Sequence, residues 1–370
     1  MRKFLNTVVF YSNIIAGILL LLSYFSTYIP PAKIWVLAFF GLAYPYILIL
    51  NLIFLIYYII KWNRRFLLSL IIILLGFNHL NNFIPIRIGK KYDKGQEKKG
   101  SNEIKILSFN VHAFNFFDWY SNSSTAKDIL NLIQSEHPDV ICLQEYFTSK
   151  KLDYKFDYIN KLFKETPYQY IQYSIQNKSN TGYGIATFSK FPIIQKGSMN
   201  FRNSSNKAIY TDLSVNGDTI RIYNNHLQSI NFQKRNYDFI DTMKLNYDEE
   251  NIREIKDISL KLKTAFVKRS QQVDSISTHI KHCPYPVLVC GDFNDTPVSY
   301  TYRKMRKGLK DAFLISGKGI GNTYLGIFPS YRIDYIFHSR EFEPMIFEKV
   351  EAKLSDHYPI ICILNLKKKD

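Results

Sequence analysis

The first 92 residues of this 370-residue chain contain no Asp or Glu, and this constrains the fold more than any other feature. A stretch so apolar, with only scattered basic residues, cannot supply the mixed-charge surface of a soluble domain. Three apolar runs divide it, over residues 8–29, 34–60 and 66–88. The first is almost unbroken and closes at Pro30-Pro31, about the ~20 residues that cross a hydrocarbon core. The second contains Gly41 and Pro45 and spans with tilt or a kink. The third opens as FLLSLIIILLGF and weakens at Asn78, His79, Asn81 and Asn82. It reads as a third span, with an interfacial or re-entrant segment as the alternative. A cleaved signal peptide is disfavoured for the first run, whose apolar stretch is long and lacks a small-x-small site before Pro30.

Positive charge near short loops orients the spans. Arg2 and Lys3 precede the first run, Lys61, Arg64 and Arg65 separate the second from the third, and only Lys33 separates the first from the second. The N-terminus and the 61–65 loop are therefore expected in the cytoplasm. Three crossings then place residues 102–370 outside it, in a multi-pass protein of the inner or plasma membrane. Lys90 and Lys91 pull mildly the other way, and with two crossings the domain would be cytoplasmic. Residues 89–101, with five Lys, Asp93, Glu97, Gly95 and Gly100, read as a basic linker. The formal net charge of +17 thus divides into +7 before the linker, +3 in it and +7 over residues 102–370. A hydrophobic content of 46% rules out a disordered chain, and four Cys are too few for a disulfide scaffold.

From residue 102 the pattern changes. Short β-branched runs recur at 104–111, 140–145, 184–189, 219–227, 287–294, 332–339 and 360–366, with helical stretches at 126–136 and within 251–280. This mixture predicts sheets flanked by helices. Chemistry-bearing residues stand at the strand ends: Asn110, Glu145, His226, Asp292 and Asn294, and Asp356-His357 just before a strand. Asp334 sits inside an apolar strand, where a carboxylate is costly unless paired. Oxygen ligands with a few imidazoles suit a hard divalent cation such as Mg²⁺, with Mn²⁺ as the alternative.

The elements SFNV (108–111), LQE (143–145), GYGIATFSKFPI (182–193), NNHLQS (224–229), GDFN (291–294), RIDYIF (332–337) and SDHYPI (355–360) occur in that order. In this order residues 102–370 resemble the endonuclease/exonuclease/phosphatase superfamily of DNase I-like hydrolases. The resemblance implies a four-layer α/β sandwich, here preceded by two or three transmembrane helices. It implies a metal site at Glu145, with Asn110 holding or orienting it and Asp356 completing it. It implies Asp292 as general base, Asn294 on a phosphoryl oxygen, His357 on the transition-state charge, Asp334 orienting His357, and His226 donating to the phosphate. His112 reads as incidental, Gly182 and Gly184 as turn glycines, and His137, His279, His282 and His338 as surface or strand-edge residues.

The expected function is a membrane-anchored, Mg²⁺-dependent phosphoesterase acting on a lipid headgroup or small molecule. The alternatives are a nuclease acting on extracytoplasmic DNA or RNA, and a non-catalytic binding module. The expected partners are the bilayer and a phosphoester substrate, with nucleic acid as the alternative substrate and no protein partner. Two segments bear on the choice. The stretch after HLQS reads as a long loop with Phe232, Tyr237, Phe239 and Tyr247, either facing the bilayer or an ordinary insertion. Lys304, Arg306, Lys307 and Lys310 read as a solvated helix face or as phosphate-steering charge.

Overall fold

The computed structural model describes residues 2–85, 102–115, 124–148, 164–176, 181–242, 249–326 and 331–367. The basic linker and Tyr247 lie outside these residues.

The acid-free region folds into α1 (Arg2–Phe25), α2 (Val36–Leu42), α3 (Tyr44–Ile60), α4 (Phe66–Leu75) and α5 (Phe77–Phe83). Among the described residues α1 alone is long and apolar enough to cross a membrane, or up to three spans if each bent pair is one. The second run breaks at Ala43, where α2 and α3 meet at 65°. Pro45, in the first turn of α3, has no N–H to donate into a continuous helix. The third run breaks at Gly76 with a 66° bend, and a Cβ there would come within 2.1 Å of the Tyr24 ring. Polar side chains are buried between these helices: Asn51 Nδ2 donates to the Ala16 carbonyl (2.9 Å) and Ser69 Oγ to Asn13 Oδ1 (2.7 Å). Outward faces carry exposed Ile15, Ile18, Ile49, Ile53, Ile56, Ile71 and Leu74. This is the reverse of a soluble bundle.

The rest of the chain forms two six-stranded sheets. One contains β1 (Glu103–Asn110), β2 (Val140–Thr148), β3 (Tyr168–Gln176), β4 (Gly182–Ser189), β11 (Phe342–Lys349) and β12 (Ile360–Leu366), in the order β11-β12-β1-β2-β4-β3. The other contains β5 (Ile193–Asn200), β6 (Lys207–Val215), β7 (Asp218–His226), β8 (Val287–Asp292), β9 (Lys310–Asp311) and β10 (Asp334–His338), in the order β5-β6-β7-β8-β10-β9. Both are mixed: β1–β2 and β7–β8 are parallel, their other neighbours antiparallel. The period-2 pattern assigns each face. Ile106, Cys142, Ile222 and Cys290 meet between the sheets. Leu107, Ile141 and Leu143 turn outward onto α6 (Ser124–Ser135), through Ile129, Leu130 and Ile133. Tyr223 and Val289 turn outward onto the long helix α8 (Glu249–Lys281), through Val273 and Ile276. The result is the expected four layers, helix, sheet, sheet, helix.

Four expectations need correction. The stretch after HLQS is largely helical, with α7 (Lys234–Thr242) leading to α8. Asn236 ties the two together, its Nδ2 donating to Glu254 and Asp257 (3.0 Å each) while its Oδ1 accepts from Lys261. His338 is fully buried on β10. Gly182 and Gly184 lie within β4, not in a turn, and a Cβ on Gly184 would meet the Gln172 carbonyl at 2.2 Å. The basic cluster is not simply a solvated face: Lys304 pairs with Asp274 (2.8 Å), and Arg306 donates to Asn82 on α5 (2.6 Å).

That last contact belongs to a larger seam. Tyr24, Tyr44, Leu48 and Phe83 of the N-terminal helices share one apolar cluster with Val298, Tyr331 and Ile333 of the sandwich. Tyr331 Oη donates to the Leu42 carbonyl (2.8 Å) and Arg332 Nη2 to the Asn82 carbonyl (2.8 Å). The Arg303 guanidinium stacks on Tyr28 (3.9 Å). The polar residues that weaken the third run are therefore partly docking contacts.

Candidate active site

The parallel pairs put Asn110, His226 and Asp292 at the C-terminal ends of β1, β7 and β8, at one end of the sandwich; Glu145, expected at a strand end, lies within β2, which continues to Thr148. Pairing register then sets their neighbours. Asp292 lies opposite His226 across β7–β8 and opposite Asp334 across β8–β10. Gly291 permits this close approach: its φ is +130°, and a Cβ would stand 2.0 Å from the Asn225 carbonyl. A register shift between Leu143 and Tyr146, with Glu145 at φ +53°, turns the Glu145 carboxylate out of the ladder. Bulges recur beside active sites for this reason, and a left-handed non-glycine residue costs about 1–2 kcal/mol.

Asp292 Oδ2 is the hub. It accepts from Asn110 Nδ2 (3.0 Å) and Asn294 Nδ2 (3.0 Å). It stands 3.7 Å from both His226 Nε2 and His357 Nε2. Asp292 Oδ1 accepts the Asn294 N–H (2.8 Å). Glu145 Oε1 is 3.2 Å from the same Asn110 nitrogen and 3.6 Å from His226 Nε2. Asn110 Oδ1 already accepts the His112 N–H (3.0 Å), so Asn110 orients both carboxylates through its NH₂. Asp334 Oδ2 accepts from His357 Nδ1 (2.9 Å), and Thr323 Oγ1 accepts the Asp334 N–H (3.1 Å). Asp356 is farther out on the same cleft as Glu145, Asp292 and His357. Ser355 Oγ donates to the Asn110 carbonyl (2.8 Å) and lies 3.2 Å from Asp356 Oδ1. All eight residues singled out in the sequence thus meet around one cleft or its floor.

Electrostatics follow from burial. Desolvation raises the Asp292 pKa to about 6, helped by Asp334 and opposed by His357 and His226. Burial alone would lower His357, but Asp334 and Asp292 outweigh it and hold the imidazole well above its ordinary value. His226 Nε2 is buried without a hydrogen-bond partner and points at the two carboxylates.

Three residues that sequence reasoning missed also line or support the site. Arg269, fully buried on α8, contacts the Asn294 carbonyl and stands 3.5 Å from Asp295. Its one signal was an Arg within the apolar i, i+3/i+4 stripe Phe266, Arg269, Val273, Ile276. Tyr183 sits inside the GYG element, its pKa pushed up by burial and by its neighbour Glu145. The Tyr324 ring lies 5.3 Å from His357, and nothing local in the sequence marked it. His112 lines the cleft, 3.9 Å from Asp356.

The residues fit a divalent cation. Glu145, Asp292 and Asp356 line one cleft, and among the described residues none forms an ion pair with Lys or Arg. Such a set of hard oxygen donors suits a divalent cation. The tightest group of ligand-capable atoms is Asp292, Asp334 and His357, all within 4.8 Å. In it Asp334 and His357 already bond to each other, so it reads as a hydrogen-bonded dyad beside Asp292 more than as a cage.

Comparisons with known proteins agree with this architecture. The model of the Endonuclease/Exonuclease/phosphatase family matches residues 107–357. A second, described as a domain of unknown function (DUF8431), matches residues 3–83. No curated protein matches by sequence. Among solved structures, the human Nocturnin catalytic domain with bound sulfate anion is similar at 18% identity and a TM-score of 0.50, covering 72% of this chain and 94% of that one. A humanized D. rerio TDP2 gives 18% identity and 0.50, covering 72% and 100%. An endonuclease/exonuclease/phosphatase from Beutenbergia cavernae gives 14% and 0.50, covering 72% of each. At such identities the likeness concerns the fold.

Proposed function

Because the chain belongs to the endonuclease/exonuclease/phosphatase family, whose members hydrolyse phosphoesters, we propose that it is a membrane-anchored, Mg²⁺-dependent phosphoesterase with Glu145, Asn110, Asp356, Asp292, Asn294, His226, Asp334 and His357 as its working site. Residues 1–88 are its anchor, 89–101 its linker and 102–370 its catalytic domain.

The observation that carries this reading is the surround of Asp292 Oδ2, with two carboxamides at 3.0 Å and two imidazoles at 3.7 Å. Glu145 and Asp356, with Asn110 beside them, would hold the cation, which would polarise a non-bridging phosphoryl oxygen. Asp292 takes the proton of the attacking water, its carboxylate held by Asn110 and Asn294. His226, whose Nε2 makes no hydrogen bond within the protein, donates to a phosphoryl oxygen. His357, its Nδ1 proton held by Asp334, presents Nε2 to the charge that builds up in the transition state. Retention of every one of these groups weighs against a non-catalytic module.

Membrane anchoring is supported by the seam. The end of α1 reaches Val298 through Ser26, the junction of α2 and α3 reaches Tyr331 through Leu42 at the end of α2, and α5 reaches Arg332 through Asn82. All three ends therefore face the catalytic domain, and the basic residues Arg2, Lys3, Lys61, Arg64 and Arg65 sit at the opposite ends. The positive-inside rule then gives three crossings and an extracytoplasmic catalytic domain. A lipid headgroup or small molecule is the favoured substrate.

The test is the purified full chain in detergent on a panel of phosphomonoesters, phosphodiesters, phospholipids and plasmid DNA, with Mg²⁺ or with EDTA. Hydrolysis that disappears in EDTA and in Asp292→Ala is expected. Plasmid nicking without turnover of small esters would favour the nuclease. Indistinguishable wild type and Asp292→Ala across the panel would sink the enzyme reading.

A further inference from the structure

The cleft has a mixed lining. Beside Glu145, Asp292 and His357 it is lined by the apolar Leu42, Phe232, Leu262 and Phe266. Leu42 comes from the anchor, and it is held in place. Its carbonyl accepts from Tyr331 Oη. A Cβ on the preceding Gly41 would stand 2.5 Å from the Val298 carbonyl. The Phe39 ring meets Phe266 edge-on at 5.4 Å. So α2 and α8 together contribute an apolar wall to the cleft, from Leu42, Leu262 and Phe266, and the wall includes a piece of the acid-free N-terminal segment.

Two further observations say what this wall faces. The helix α2 bends 65° away from α3, whose outward face is apolar along its length. On the proposed anchoring, α2 therefore lies at the level of the bilayer surface. The exposed side of α8 carries Ile252, Ile255 and Leu260, and Lys263 stacks on Trp35 beside α2 (4.8 Å). Apolar residues flanked by Lys and Trp are the pattern of an interfacial helix. The cavity itself, at about 240 Å³, is below the ~300–1,000 Å³ of pockets that enclose a whole ligand. A phosphoryl group fits inside it, and the rest of the substrate leaves along a wall.

We propose that the substrate is an amphiphilic phosphoester whose hydrocarbon chain lies on the Leu42–Leu262–Phe266 wall and enters between α2 and α8 from the bilayer surface. This rests on the phosphoesterase reading and adds the substrate class and the residues that select it. Among these, Leu42 is a specificity residue contributed by the anchor.

The test uses the full chain in detergent with soluble p-nitrophenyl alkyl phosphodiesters, from methyl to octyl. Each methylene buried on the wall contributes ~0.8 kcal/mol, or about fourfold. Two buried methylenes give about 16-fold, so kcat/KM for octyl over methyl should rise by at least tenfold. In Leu42→Gln and Phe266→Ser the ratio should fall toward one. A ratio taken within one preparation is independent of the folded fraction. In phosphatidylcholine nanodiscs, doping with phosphatidylglycerol or with a polyprenyl phosphate separates an acyl from an isoprenyl lipid. A flat series from an enzyme that cleaves the methyl ester in Mg²⁺ overturns this inference and leaves the phosphoesterase standing. Absence of turnover on every ester removes both. Cleavage of octyl diester but of neither doped lipid overturns entry from the bilayer.

Discussion

Arg332→Met should loosen the joint between the N-terminal helices and the α/β sandwich, and the structure sets the size of the effect. Arg332 is 2% exposed and Asp311 1%. The guanidinium donates to Asp311 Oδ2 (2.7 Å) and to the Asn82 carbonyl (2.8 Å), and it stacks on Phe313 and Tyr335 (4.6 Å each). Methionine keeps much of the volume and removes the charge. Asp311 then keeps only Tyr302 Oη (2.8 Å) and the Phe313 N–H (3.0 Å) as partners for a buried carboxylate. Breaking one side of a buried ion pair costs about 3–5 kcal/mol. For a domain of this size that corresponds to roughly 6–20 °C in Tm, at about 2–4 °C per kcal/mol. The assay is thermal unfolding of the full chain in detergent, followed by circular dichroism. Adding Asp311→Leu should recover most of the loss, short of about 1 kcal/mol for the helix cap that Asp311 also supplies. A loss below about 1 kcal/mol in the single variant, or a double variant no better than the single, would refute the claim that this pair clamps the joint.

Asp334→Asn keeps the shape of the dyad but removes the charge that His357 sees, so kcat should fall by about 10–100-fold, the worth of a charged hydrogen bond, with KM little changed by comparison. A proportional rise in KM with constant kcat would point to substrate binding instead. His338 is buried, its Nδ1 lies 2.9 Å from the Ser339 carbonyl and its Nε2 is unpartnered. Burial, with Lys310 nearby, lowers its pKa. The unfolded chain therefore takes up the proton first as pH falls below the ordinary value of ~6.5. Stability should drop between pH 7 and 5.5, and His338→Phe should drop less; equal slopes would exclude the effect. Trp62, 97% exposed between α3 and α4, and Lys318 in the catalytic domain should behave oppositely as single Cys substitutions. In intact cells a membrane-impermeant maleimide should label position 318 and not position 62, and the reverse pattern would invert the topology.

Much of the site was legible because its chemistry is local. Asn110, His226, Asp292, Asn294 and His357 stand at strand ends or just before a strand, where period-2 runs stop, and Glu145 closes the run VICLQE although β2 itself continues to Thr148. Asp334 was conspicuous for the opposite reason, as a carboxylate inside an apolar strand, and its partner His357 lies 23 residues away in sequence. Arg269 and Tyr324 escaped because what matters about them is who touches them. An Arg on a helix and a Tyr outside the main strands are ordinary until the fold sets them against Asn294 and His357.

By itself the sequence determined the division into an apolar segment and an α/β domain, seven of its twelve strands (β1, β2, β4, β7, β8, β10 and β12), and which polar groups stand at or near their ends. These follow from composition and periodicity, which act within a few residues along the chain. Only the tertiary structure decided that the second and third apolar runs break at Ala43 and Gly76, that the described residues after HLQS are largely helical, and that α2 and α5 dock on the sandwich. Each of those outcomes depends on surfaces brought together from distant parts of the chain: Gly76 against Tyr24, Asn236 against Glu254 and Asp257, Leu42 against Tyr331. Close packing selects among the arrangements that local pattern leaves open. That is how Leu42, from the acid-free N-terminal segment, comes to line the same cleft as Glu145, Asp292 and His357.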